Sequence, residues 1–173
     1  TLNEGSAAAQ TVVFSYENNW RALTTQALVR YEDIQYDFEN QLSNLTQESS
    51  DQVLAPGLGV FYQAFDQWGI LAGVNRSFNP VGPGQPDTAQ TEEATNFELG
   101  VRYVGGGDFG FELIGFYSDY ENLNGTCTQS GGCTIDLLDT VESGGKAAVY
   151  GSEFLLSKNF RSGSWSIPVL LNT

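Results

Sequence analysis

The 173-residue sequence contains no histidine, and its 7 Lys+Arg stand against 21 Asp+Glu. Without histidine the chain lacks the commonest general base and the commonest metal ligand. No nucleophile–base pair is visible either, so neither a catalytic residue nor a cofactor is expected. A formal net charge of -14 sets the chain against nucleic acid, whose phosphates it would repel. No run approaches the ~20 apolar residues that a membrane helix needs, which excludes a helical membrane protein. With 2 cysteines in all, zinc would have to rest on Cys127 and Cys133, half of a structural site, and no metal is expected. The opening TLNEGSAAAQ lacks the basic stretch and apolar core of a signal peptide, and the final IPVLLNT reads as an interrupted strand. The expectation is a piece of something larger.

What is present is folded in character: 40% hydrophobic residues and 13% aromatics over the length of one ordinary domain. Cys127 and Cys133 flank the short polar stretch TQSGG. That spacing fits a disulfide, formed in an oxidising compartment, better than two free thiols with nothing nearby to activate them.

Eight segments alternate or are rich in β-branched and aromatic residues. They lie near Ala9–Tyr16, Arg21–Phe38, Val53–Gln63, Ile70–Phe78, Thr95–Val104, Phe109–Tyr120, Ala147–Leu156 and Trp165–Leu171. No useful stretch has helical periodicity, so the fold is read as all-β. The connections alternate strictly between short (ENNW, AFDQW, GGGD, SKNFRSGS) and long and polar. An antiparallel up-and-down meander puts every second connection on the same side. Short turns on one side and long loops on the other are the layout of a transmembrane β-barrel of the outer-membrane type.

The side chains agree with this layout. Folding the fifth and sixth segments about Gly107 sets Tyr103 opposite Phe111, Val101 opposite Leu113 and Phe97 opposite Tyr117. The other face pairs Arg102 with Glu112 and carries Glu98. In the second segment Leu23, Ala27, Val29 and Tyr31 oppose Arg30 and Glu32; in the third Leu54, Leu58, Val60 and Tyr62 oppose Gly57, Gly59 and Gln63. The apolar face suits lipid and the charged face a wet lumen. Trp20 and Trp68 sit at short turns, where an aromatic girdle meets headgroups. Two other readings stay open on pattern alone: a complete eight-stranded barrel with a structural or adhesive role, and a secreted soluble β-sandwich binding module.

The order GVFYQAFDQWGILAGVNRSFNPVGPG, EEATNFELGVRY, FELIGFYSDYENL and GKAAVYGSEF resembles the barrel of TonB-dependent outer-membrane receptors. The correspondence is clearest from Leu58 to Glu153, with a nearer likeness in GVNRSFNPVGPG to the ferric-dicitrate branch. The resemblance implies that residues 1–173 are a partial barrel, about eight strands of a total near 22, without the plug domain that closes the lumen. It further implies import of a ferric chelate or similar scarce nutrient across a Gram-negative outer membrane, energised by TonB through that absent plug, with membrane lipid against the wall.

For an anionic chelate the useful groups are arginines, which fork onto carboxylates. Arg30, Arg76 and Arg102 are the candidate ligand-binding residues. Arg102 has a competing role as a wall ion pair with Glu112, Arg30 has Glu32 on its own face, and Arg76 shares parity with the lipid series Ile70, Ala72 and Val74. The acidic stretches LTQESSDQ, DTAQTEEA and TIDLLDTVES have no calcium-loop spacing and read as solvated loops. GGGD reads as a tight turn. The Asn-x-Ser/Thr matches at Asn44, Asn75 and Asn124 are read as chance.

Overall fold

A computed structural model describes residues 3–42, 45–82, 89–105, 109–135, 138 and 141–173. Eight strands form one antiparallel sheet in chain order: β1 (Asn3–Trp20), β2 (Leu23–Asn40), β3 (Leu45–Phe65), β4 (Trp68–Asn79), β5 (Glu92–Gly105), β6 (Phe109–Thr126), β7 (Val141–Ser162) and β8 (Trp165–Asn172). Each strand pairs with its sequence neighbours, and β1 and β8 remain edges. Eight strands that do not close on themselves are not a complete small barrel, and one sheet is not a sandwich.

The apolar alternation becomes a single continuous outer face because the register lines it up. Tyr103 pairs with Phe111, Val101 with Leu113 and Phe97 with Tyr117, as the side-chain pattern requires. The pivot Gly107 itself lies outside the described residues. The neighbouring register sets Ile70, Ala72 and Val74 beside Val101, Leu99 and Phe97, and β2 sets Ala27, Val29 and Tyr31 beside Leu58, Pro56 and Leu54. Among the described residues nothing covers this face: Val12, Phe14 and Leu99 are each about two-thirds exposed. An uncovered band of this extent is what lipid replaces in a membrane barrel. Near the short turns it ends in touching rings, Trp68 with Tyr103 (4.9 Å between centroids) and Phe111 with Phe154 (5.3 Å). Lys158 lies over the Phe109 and Phe160 rings at the same end. The rings and the amphipathic cation thus gather at one end of the apolar face.

The strands run further than their apolar stretches. β1 begins at Asn3 rather than Ala9, β3 at Leu45 rather than Val53, and β7 at Val141 rather than Ala147. The polar LTQESSDQ, read as loop, is therefore strand, and so is Glu92–Ala94 at the start of β5. The reason is that backbone ladders form whatever the side chains are, and beyond the apolar band both faces of the strands are largely polar. At ~3.3 Å per residue, 22-residue β7 reaches about 70 Å, against the 9–11 residues a membrane crossing needs. The excess lies at the end with the long connections.

At the opposite end the hairpins close in two residues, Arg21–Ala22, Asp66–Gln67 and Gly163–Ser164. Gly163 (φ 58°) and Arg21 (φ 55°) take the left-handed conformation that tight hairpin turns favour. For Arg21 this conformation is strained, and its guanidinium rests 5.3 Å from the Trp20 ring.

Candidate functional site: the lumen face and its outer rim

The face opposite the lipid band carries the charges. Arg102 is paired in register with Glu112 and forms an ion pair with it, while its guanidinium lies 5.7 Å from the Phe61 ring. Arg30 forms an ion pair with Glu32, two residues along the same strand and on the same face. Glu32 is buried and also accepts a hydrogen bond from Thr11 Oγ1 at 3.1 Å, so its charge is met from both sides.

Arg76 falls in register with Thr95, continuing the outer series above Val74 and Phe97. It pairs with Glu93, next to which Glu121 holds Lys146 at 2.7 Å. The result is a charged row across β4–β7 just beyond the lipid band. The three arginines are thus not one cluster. Arg30 and Arg76 line a common cleft of about 460 Å³, with Phe78 and Pro80, whereas Arg102 lines a separate one of about 310 Å³ nearer the short turns.

The first cleft exists because the sheet forks. Pairing between β3 and β4 ends at Gly57–Asn75, while β3 continues alongside β2 to Leu45. Arg30 sits in the fork with its guanidinium 5.6 Å from the Phe78 ring. On the inner face of the extension, Ile34, Tyr36 and Val53 are buried. Thr91 Oγ1 reaches across to donate to Asp51 at 3.0 Å. Tyr36 has a buried hydroxyl with no hydrogen-bond partner among the described residues. Burial, followed by the charges of Asp51 and Glu32, pushes this phenol above its ordinary value.

The second cleft exists because glycine thins the wall. Gly59 and Gly73 lie side by side in register, and at neither position would an added Cβ come within 3.4 Å of a neighbour. Elsewhere on this face rings replace the missing side chains. A Cβ on Gly69 would fall 2.2 Å from the Phe61 ring, so that ring lies flat on bare backbone.

A polar network at the rim was not legible in the sequence. The β6–β7 ladder shifts register twice between Tyr120 and Asn124, with Asn122 at φ 55°. Beyond this kink the Asn124 N–H donates to Glu92 Oε1 (2.8 Å) and its Nδ2 donates to the Gln90 carbonyl (2.9 Å). The Gln90 N–H donates to Ser143 Oγ at 2.7 Å. The connection after β4 is thereby fastened to the β6–β7 hairpin. Sequence offered only an Asn-x-Ser/Thr match at Asn124; Asn75 is likewise engaged, accepting from Asn96 at 2.9 Å. Asn44 lies outside the described residues. Cys127 and Cys133 do form a disulfide, with Cα atoms 5.8 Å apart, around the one-turn helix Gln129–Gly131 at the hairpin tip. Among the described residues no group of acidic, cysteine or histidine side chains has metal-binding geometry.

A family model described as "TonB dependent receptor-like, beta-barrel" matches residues 4–173. The chain belongs to this family. Its members are transport receptors rather than enzymes. Solved structures of TonB-dependent receptors share its fold. The FrpB iron transporter from Neisseria meningitidis superposes with a TM-score of 0.72 at 18% identity, over 97% of this chain and 25% of its own. The ferric citrate transporter FecA gives 0.72 at 23% identity, over 90% and 23%. The alcaligin outer-membrane receptor FauA from Bordetella pertussis gives 0.76 at 16%, over 98% and 30%. The chain therefore spans about a quarter of the receptors it matches.

Proposed function

We propose that this chain is part of the wall and outer rim of an outer-membrane receptor that imports a ferric chelate, a siderophore or iron citrate, in a Gram-negative bacterium. The observation that carries this reading is the family match over residues 4–173. The apolar face supports it as the surface held in outer-membrane lipid, and the charged face as part of the passage. Energy for release into the periplasm comes, on this reading, from TonB acting through a plug domain of the parent receptor.

Ligand contact by Arg30, Arg76 and Arg102 belongs to the same proposal. Arg30 and Arg102 lie along the path of a chelate, and Arg76 reaches it only through the fork cleft. The test is uptake of iron-labelled chelates by iron-starved cells with and without the gene of the intact receptor. Loss of uptake on deletion, restored by the gene, supports import. Unchanged uptake and growth across a panel of chelates would sink it.

A further inference from the structure

Two lysines bracket the apolar stretch of β7. Lys146 and Lys158 share its outer parity, with Tyr150, Phe154 and Leu156 between them. Residues 147–157 have the length of one membrane crossing, about 9–11 residues. The two ammonium groups differ in what meets them. Lys146 is held by Glu121 at 2.7 Å. Lys158 is exposed and, among the described residues, meets no carboxylate. Its neighbours are rings: Nζ lies 5.9 Å from the Phe109 centroid and 5.3 Å from that of Phe160. In register Lys158 stands between Phe109 on β6 and Val169 on β8, so both flanks of this position belong to the chain.

The surroundings favour an anion. Between the apolar band and the short turns, the described outer positions of the strands carry no Asp or Glu. Asp66 lies in a turn, and Glu17 and Glu112 have lumen parity. Arg21 repeats the arrangement at another turn, its guanidinium 5.3 Å from the Trp20 ring. At the opposite end of the same face the carboxylates Glu93, Asp119 and Glu121 gather. A chain with a formal net charge of -14 thus keeps one border of its outer face clear of strand carboxylates and sets an ammonium there. A ring attracts a cation without cancelling its charge, and the ammonium keeps N–H donors to give.

We infer that Lys158, with Phe109 and Phe160, holds the phosphodiester of an anionic phospholipid in the leaflet beside the short turns. The ammonium supplies charge and donors to the phosphate. The rings pack against the glycerol and the upper acyl chain, at the depth where aromatic side chains settle in a bilayer. A zwitterionic headgroup carries its own cation, so Lys158 adds less to its binding. The inference rests on the reading of the apolar face as the surface held in lipid, and names the lipid at one place on it.

The test places a photo-reactive benzophenone amino acid at Val169, beside Lys158, in the intact receptor. A second receptor carries it at Leu99, in the middle of the band. Both are reconstituted in vesicles of four parts phosphatidylcholine and one part phosphatidylglycerol, irradiated, and the lipid adducts identified by mass spectrometry. At Val169 the anionic lipid is expected to be enriched about fivefold over its share of the vesicle, less so as salt rises. Lys158→Gln should bring the adducts back to the bulk proportion, while Lys158→Arg and Lys146→Gln preserve the enrichment. Adducts in bulk proportion at Val169, or an enrichment untouched by Lys158→Gln, would overturn the inference. So would lipid adducts at Leu99 with none at Val169. No lipid adduct at either position would overturn the reading of the apolar face itself, a result distinct from lost selectivity.

Discussion

Placing an arginine on the lipid band is the sharpest test of which face is which. Leu99 lies midway along the band, between Phe97 and Val101, flanked in register by Ala72 and Gly115. It is 64% exposed, so replacing it forfeits little packing within the chain. If water bathes this face, Leu99→Arg is an ordinary surface change, worth at most about 0.5 kcal/mol. If lipid does, a charge near the midplane costs about 2–4 kcal/mol. That cost is roughly 30- to 700-fold in the folding equilibrium. Gln26→Arg provides the control, because Gln26 faces the lumen beside Gly59 and opposite Glu17. Its change should stay within about 0.5 kcal/mol. The assay is denaturant unfolding of the intact receptor in lipid vesicles, followed by tryptophan fluorescence. Equal effects of the two substitutions, or a larger effect at Gln26, would refute the assignment of faces.

Two further outcomes follow from the rim. The Cys127–Cys133 bond closes a loop of sequence separation 6, which the chain-entropy model values at about 2 kcal/mol. The double Cys→Ser variant should therefore speed proteolysis at residues 127–133 while leaving heat-resistant gel mobility of the intact barrel unchanged; a lost mobility shift would show that the bond supports the wall. For the Glu121–Lys146 pair, hydrogen bonding and charge from Lys146 hold the Glu121 carboxyl below its ordinary value, and Glu121 raises the Lys146 ammonium. The depressed carboxyl contributes stability that is complete above its unfolded pKa and lost as pH falls through the folded one. The raised ammonium contributes below its unfolded pKa and is lost as pH rises through the folded one. Glu121→Gln should abolish the acid-side loss, read as pH-dependent protease resistance of the β6–β7 extension; an unchanged acid profile would show that the pair contributes nothing there.

The wall was legible in the sequence because one face of each strand is apolar and the other polar, which imposes a period of two. Phe97, Leu99 and Val101 announce their face, and Arg102 opposite Glu112 follows from the same register. Where that contrast ends, so does legibility. From Thr46 to Gln52 both faces are polar, and nothing in those residues separates a solvated strand from a solvated loop. Arg76 keeps the parity of Val74 yet lines the fork cleft, because the end of β3–β4 pairing is a property of two strands rather than one. The Gln90–Ser143 bond joins residues 53 apart through groups of no special chemistry. No local pattern encodes such a contact.

The two-residue turns at one end of the sheet bear on how this wall tolerates change. Between Trp20 and Leu23, or between Ser162 and Trp165, there is no slack. One extra residue there would slip the register and turn a whole strand's lipid-facing side chains toward the lumen. Between Asn79 and Glu92 the described residues carry no ladder, so the same insertion there shifts no register. The architecture therefore confines length variation to the outside. New rim shapes can be tried there without reopening the question of which side of each strand meets the membrane.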